Sequence, residues 1–100
     1  MNTFEDLQIK VIRWGNERNI TSESSKWQQL AKITEEVGEL NRAVLKNDRT
    51  LILDSFGDIL VTLIIASEQL NADLVQCLDY AYNEIKDRKG NTINGTFIKD

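Results

Sequence analysis

Apolar residues recur at three- and four-residue spacing along most of the chain, which is the period of an α-helix. Four segments show this pattern, and short polar stretches separate them. The predicted helices cover about residues 4–17, a stretch from the end of the loop Thr21 to Ser25 as far as Lys46, about residues 50–70, and a stretch from Asp73 to Gly90. Because the connection Asn47, Asp48 is short, the second and third helices are predicted to be antiparallel neighbours.

Local signals support the starts of these helices and a turn in the tail. A capping side chain followed three residues later by an acid or a glutamine marks a helix start, and three such pairs occur. They are Thr3 with Asp6, Ser25 with Gln28, and Asp73 with Gln76. In the tail, Asn94-Gly95 lies between β-prone flanks and predicts a small hairpin over residues 92–98. A hairpin of this size is marginal alone, so it should rest on the bundle or on a neighbour.

The third predicted helix is apolar in nearly every direction, so it has to be covered on most sides. The other three helices of a 100-residue chain can hardly do so, which favours self-association. The fourth helix is predicted to have an inner face of Leu74, Cys77, Leu78, Ala81 and Ile85. The pattern predicts one domain over residues 1–100 in the all-α class: an antiparallel four-helix bundle with a C-terminal hairpin, completed by oligomerisation as a dimer or a dimer of dimers.

Composition restricts the possible functions. Twelve basic and 16 acidic side chains give a net charge of −4, and no basic tract is present, which argues against nucleic-acid binding. The chain has no histidine, so it lacks the commonest general base and metal ligand. Cys77 is the only cysteine, which excludes an internal disulfide; we expect it to be a small buried apolar residue of a cytoplasmic protein. The longest apolar run, Ile59 to Ala66, is too short to cross a membrane.

Five carboxylates lie at helical spacing in two otherwise apolar segments, and this cluster is the main candidate site. Glu35, Glu36 and Glu39 belong to the second helix, and Asp54 and Asp58 to the third. Glu36 and Glu39 flank the apolar stripe of their helix, and Asp54 and Asp58 are about 40° apart on theirs. Together these charges exceed the net charge of the whole chain, so they would repel one another strongly unless a cation lay between them.

A solvated helix face is the simpler interpretation of the glutamates alone. Asp58, however, has apolar neighbours in the sequence, and an unpaired ionised carboxylate buried among them would cost several kcal/mol. A hard cation shared between the two helices would resolve this conflict, and Gly38 and Gly57 would let the backbones approach. Ligation by acids and water favours Mg²⁺, with Mn²⁺ as a substitute.

These residues resemble the MazG-type all-α nucleoside triphosphate pyrophosphohydrolases over essentially the whole chain. The family pattern is EExxE on one helix and ExxD on the next. Glu35, Glu36 and Glu39 match the first part, and Asp58 matches the final aspartate. Ser55 stands where the family usually has glutamate, and Asp54, one residue earlier, is the predicted substitute ligand.

The resemblance implies a reaction in which a metal-polarised water attacks the α-phosphorus of a nucleoside triphosphate and releases pyrophosphate and a monophosphate. Glu36, Glu39, Asp54 and Asp58 would hold Mg²⁺, and Glu35 would orient or deprotonate the water. The sequence is equally compatible with the reverse assignment of Glu35 and Glu36.

The segment AYNEIKDRKG resembles the last helix of short MazG-like proteins, which points to Asn83 and Lys86 as substrate-binding residues. Trp27 is a candidate for stacking on the base, although an aromatic at this position is more often part of a core.

Two other functions would also explain part of this pattern. A di-iron carboxylate bundle would also gather glutamates between helices, but it ordinarily needs histidines, which this chain lacks. A non-catalytic oligomerisation or regulatory module that kept the fold and lost a metal ligand is the stronger alternative, and Ser55 is the residue that supports it. Metal-dependent release of pyrophosphate distinguishes this module from the enzyme.

Overall fold

The computed structural model describes residues 2–100, and in this range five helices precede a two-stranded antiparallel sheet. The all-α class with a C-terminal hairpin is confirmed. The elements are α1 (Phe4–Glu17), α2 (Ile20–Glu23), α3 (Lys26–Leu45), α4 (Arg49–Gln69), α5 (Leu74–Ile85), β1 (Gly90–Ile93) and β2 (Thr96–Lys99).

The predicted helix starts are confirmed by their caps. The Ser25 hydroxyl accepts a hydrogen bond from the Gln28 backbone N–H at 3.0 Å, and the Gln28 side chain accepts one from the Ser25 N–H at 2.8 Å. Thr3 and Asp6 form the same reciprocal pair at the start of α1. After α4, Asn71 adopts a left-handed conformation with φ of 56°. A left-handed residue cannot continue a right-handed helix, and asparagine tolerates this conformation better than most residues do.

Two predicted boundaries were wrong. The predicted loop Thr21 to Ser25 contains most of the short helix α2, in which the Ser24 N–H donates to the Ile20 carbonyl at 2.9 Å. The last helix ends at Ile85 rather than at Gly90, which is the first residue of β1. A Cβ atom at Gly90 would collide with the backbone of Ile98 in the paired strand, so glycine is needed there for close approach rather than for ending a helix.

The hairpin was predicted correctly. β1 pairs with β2 in antiparallel register, with Ile93 opposite Thr96. The two turn residues, Asn94 and Gly95, have φ of 52° and 80°. Positive φ at both central positions is the requirement of a type I′ turn, whose twist matches that of the strands it joins.

Helix α4 lies between α3 and α1, and its contacts with α3 are the most extensive in the chain. Small residues bring these two helices together: Ala43 of α3 is fully buried, and Ser55 of α4 is 1% exposed. The opposite side of α4 borders a groove shared with α1. Gly57, Leu60, Val61 and Ile64 line this groove from α4, and Phe4, Leu7 and Val11 line it from α1.

Helix α5 is held mainly at its start. Asp73 caps it, and the Gln8 side-chain amide of α1 donates a hydrogen bond to the Asp73 carboxylate at 3.3 Å. The predicted inner face of α5 is not buried in a single chain: Cys77 is exposed, Leu78 is 67% exposed and Ile85 is 51% exposed. The expectation that Cys77 is buried was therefore wrong for the isolated chain.

By length and apolar composition alone, α4 could cross a membrane, although its longest uninterrupted apolar run is short. Only 28% of its most apolar window is buried inside the chain. Core helices of water-soluble proteins also meet these criteria of length and composition. The low buried fraction shows that the rest of the described chain covers only part of the apolar surface of α4. Asp54 and Asp58 lie within this helix.

Candidate metal centre

The carboxylates of α3 and α4 are arranged by the antiparallel pairing of the two helices. α3 ends at Leu45 and α4 begins at Arg49, so residues equally distant from Asn47 along the chain lie at about the same height. Glu36 and Asp58 form one such pair, and Glu39 and Ser55 form the next. The two levels are one helical turn apart.

Glu36 is the most perturbed acid of the cluster. Its Oε2 atom is buried and has no hydrogen-bond partner. Burial raises the pKa of Glu36, and the nearby negative charges of Glu39 and Asp58 raise it further, while Lys32 acts in the opposite direction. The influence of Asp58 shows that the two helices bring these three carboxylates into electrostatic range.

Asp58 itself is exposed, so the expectation that it is buried among apolar side chains was wrong. The reason is its direction: Asp58 lies about 60° around the helix from Ser55, at the edge of the interface. The buried carboxylate oxygen belongs to α3, on Glu36, and not to α4. The carboxylate that a cation would stabilise most is therefore Glu36 of α3 and not Asp58 of α4.

Ser55, and not Asp54, occupies the position of α4 that faces α3. Ser55 is 1% exposed, whereas Asp54, about 100° away, is exposed. Asp54 is also absent from the charges that shift the pKa of Glu36. Its role as a substitute ligand stays a prediction.

The two glycines near the cluster do not provide close backbone contact. The nearest group to a Cβ at Gly38 would be the Arg42 guanidinium at 3.8 Å, and a Cβ at Gly57 would have nothing within 4 Å. Gly57 borders the α1 groove instead of α3. The predicted role of these glycines was therefore wrong, and Ala43 and Ser55 provide the close approach.

Within residues 2–100, no three acidic or cysteine side chains lie close enough together to hold a metal ion in the conformation described. The chemistry of these residues nevertheless suits a hard cation, because Glu36 has a buried oxygen without a partner and lies within electrostatic range of the carboxylates of Glu39 and Asp58. Glu39 and Asp58 are exposed, so their side chains are free to turn towards Glu36.

The other predicted site residues are all exposed. Glu35 is exposed and precedes Glu36 on α3. Asn83 and Lys86 are exposed, and the Asn83 amide donates to the Asp79 carboxylate on the same helix at 3.4 Å. Their helix, α5, makes no extensive contact with α3 in the chain as described.

Trp27 is 69% exposed at the start of α3, so it is not part of a core. The Lys26 ammonium lies 5.3 Å from the centre of the Trp27 ring, a cation–π contact.

Lys32 was missed by sequence reasoning. It precedes Glu36 by four residues on α3, and its charge opposes the rise in the Glu36 pKa. The spacing itself is a signal, since residues four apart share a helix face. Lys32 thus offsets part of the negative charge around Glu36.

Comparisons with known proteins identify the family of the chain. Residues 25–91, which include α3, α4 and α5, match the model of the MazG nucleotide pyrophosphohydrolase domain. A protein of Haemophilus phage HP1 (strain HP1c1), described as an uncharacterized 18.2 kDa protein in the rep-hol intergenic region, is 35% identical over 75 residues. That match covers 75% of this chain but 46% of the phage protein. No solved structure matches the chain. The chain belongs to the MazG nucleotide pyrophosphohydrolase domain family.

Proposed function

We propose that the protein is a Mg²⁺-dependent nucleoside triphosphate pyrophosphohydrolase that releases pyrophosphate and a nucleoside monophosphate. Membership of the family supports the reaction class. The single structural observation that carries the proposal is the buried, unpartnered Oε2 of Glu36 beside Glu39 and Asp58. A family that acts on polyphosphates needs positive charge at this place, and the chain provides little of its own.

Glu36, Glu39 and Asp58 form the centre of the proposed ligand set. Bound Mg²⁺, or Mn²⁺ in its place, would neutralise the triphosphate and lower the pKa of a water ligand. Glu36 would provide its buried oxygen, while the exposed Glu39 and Asp58 would turn inwards from the rim. Asp54, which the sequence suggested as a substitute ligand, is not part of this proposed set, because its exposed side chain lies outside the α3–α4 interface.

Glu35 is the proposed residue that orients or deprotonates the attacking water. It is exposed, next to Glu36 in sequence and about 100° from it around α3. That separation lets Glu35 act on a water molecule without itself entering the buried part of the site. The difference in burial favours Glu36 as the ligand and Glu35 as the base.

The substrate-binding residues are proposed from the resemblance and from their exposure. Lys86 would contact phosphate as a point charge, and Asn83 would donate a hydrogen bond to sugar or phosphate after releasing Asp79. Trp27 is accessible for stacking on a base, and Lys26 already lies over its ring.

We further propose that the protein works as a homodimer or a dimer of dimers. The groove between α1 and α4 continues past Phe4 and Leu60 to Leu74 and Leu78 of α5, so one apolar surface spans three helices. A second copy is favoured over lipid because Asp54 and Asp58 interrupt α4. A cytoplasmic location is part of the same proposal.

One observation favours a second function, that of a non-catalytic oligomerisation module. Ser55 occupies the buried position opposite Glu39 where the family pattern has an acid, so the site of this chain holds fewer carboxylates. A chain that binds no cation and hydrolyses no nucleotide would fit this alternative.

The test is a panel of ribo- and deoxynucleoside triphosphates with Mg²⁺, in which pyrophosphate and orthophosphate are measured separately. We expect pyrophosphate from at least one nucleotide, no release in EDTA, and loss of release in Glu39→Gln and Asp58→Asn. Glu68→Gln is the matched control, because Glu68 is an exposed acid on α4 outside the cluster. Orthophosphate as the product, or full activity in both variants, would contradict the proposed site.

A further inference from the structure

The place of Ser55 in the interface bears on how the proposed site holds its cation, and the inference rests on the proposed function. Ser55 lies level with Glu39 and one turn from Asp58 on the side of α4 that faces α3. At 1% exposure it is enclosed by the two helices. A side chain at this position therefore points into the space between α3 and α4.

Asp54 does not share this direction. It lies about 100° around α4 from Ser55, and its side chain is exposed. An aspartate is also one methylene shorter than a glutamate, so a carboxylate at position 54 extends less far towards α3 than a glutamate at position 55 would. Glu36 thus has a buried oxygen between the helices, Glu39 and Asp58 lie beside it at the exposed edge, and Asp54 faces solvent.

We propose that Ser55 leaves the carboxylate site one ligand short, so that the chain alone holds a divalent cation weakly, and that Asp54 does not fill the gap. In the conformation described for residues 2–100, no three of these acids already form a metal-binding group. Mg²⁺ commonly combines one or two carboxylates with substrate phosphates and water. The missing ligand therefore makes the nucleotide's own phosphates necessary for firm binding of the cation.

The experiment is a Mn²⁺ titration of the full chain without nucleotide, followed by the electron paramagnetic resonance signal of free Mn²⁺. Ser55→Glu returns an acid to the enclosed position and should tighten Mn²⁺ binding roughly tenfold or more. Leu53→Glu is the matched control: it adds the same charge to α4 at an exposed position on the far side of the helix. It should change the affinity by less than about twofold. Asp54→Asn should leave the affinity unchanged.

Equal tightening in Ser55→Glu and Leu53→Glu would overturn the inference, because the gain would then reflect charge and not position. A large loss of Mn²⁺ binding in Asp54→Asn would also overturn it. Circular dichroism checks folding. If Ser55→Glu stays unfolded with and without Mn²⁺, the Asp54→Asn titration decides: unchanged binding supports the inference and lost binding contradicts it.

These titrations contain no nucleotide, so they separate the inference from the proposed function. If the Mn²⁺ affinities follow the expected pattern but no nucleotide is hydrolysed, the inference about Ser55 is supported and the proposed function is wrong. If the wild type releases pyrophosphate but Asp54→Asn no longer binds Mn²⁺, the proposed function is supported and the inference about Ser55 is wrong.

Discussion

Glu36 carries a charge that the folded chain disfavours. Burial and the charges of Glu39 and Asp58 raise its pKa above the ordinary value of 4.5. A raised carboxyl pKa means that ionisation destabilises the fold: the penalty is absent well below pH 4.5 and grows as the pH rises through that value. Above the raised pKa the penalty is complete, unless a cation is bound.

Replacing Glu36 by glutamine should therefore stabilise the metal-free protein. In EDTA at neutral pH we expect Glu36→Gln to melt at a higher temperature than the wild type, and the difference should close as the pH falls below about 4.5. Excess Mg²⁺ should stabilise the wild type and not the variant. A variant that is less stable than the wild type in EDTA at neutral pH would contradict this interpretation of Glu36.

Asp73 shows the opposite shift. The hydrogen bond from the Gln8 amide and those from the backbone N–H groups of Gln76 and Val75 lower the pKa of Asp73. Its ionised form therefore stabilises the fold, and this contribution is lost as the pH falls below about 3.8. Asp73→Asn keeps a capping side chain but cannot ionise.

The expected result is that the stability difference between wild type and Asp73→Asn narrows as the pH falls from 3.8 through the lowered pKa, measured by urea unfolding at several pH values. Parallel pH profiles for the two proteins would show that Asp73 does not titrate with folding.

At the scale of single residues, the sequence indicated that acids of two neighbouring helices lie near one another, but not which of them is buried. Three- and four-residue spacing places Glu36, Glu39 and Asp58 near one another. Whether a side chain at the edge of a helix pair is covered depends on the rotation of each helix about its axis. Apolar neighbours in the sequence do not fix that rotation for Asp58, because α4 is apolar on nearly all sides.

At the scale of elements, the α3–α4 pair depends on small side chains. Ala43 is fully buried, so Ala43→Leu would add volume where no space exists and should destabilise the fold by about 1–3 kcal/mol. Urea unfolding measures this loss. Val44→Leu is the control, since Val44 is 58% exposed and the change should have an effect within about 0.5 kcal/mol. Equal effects of the two substitutions would contradict the close packing of α3 on α4.

Element boundaries were predictable where local chemistry sets them and not where distant contacts do. The capping pair of Ser25 and Gln28 is local, and it was found from the sequence. Helix α2 is held from elsewhere: the Gln69 amide of α4 donates to the carbonyls of Thr21 and Ser24 at 3.3 and 2.6 Å. These hydrogen bonds join residues 45 or more positions apart, so the local sequence around α2 could not predict them.

At the scale of the whole molecule, the exposed apolar groove along α1, α4 and α5 is the surface on which the proposed self-association rests. Leu60 lines both parts of this groove and is 43% exposed, so Leu60→Glu would place a charge in the proposed interface. Association should weaken roughly hundredfold or more, as measured by sedimentation velocity over a range of concentrations.

Leu45→Glu is the matched control, because Leu45 is 85% exposed at the end of α3 and outside the groove. It should associate like the wild type, and circular dichroism should show that both variants keep their helices. A wild-type protein that stays monomeric at high concentration would refute the proposed interface.

The most direct test of the central claim is pyrophosphate release by the wild type and by Asp58→Asn, compared at saturating Mg²⁺ with the nucleotide that the wild type prefers. The account predicts release by the wild type and a loss of roughly a hundredfold or more in Asp58→Asn, with Glu68→Gln unaffected. Undiminished release by Asp58→Asn would show that the carboxylates between α3 and α4 do not hold the catalytic cation.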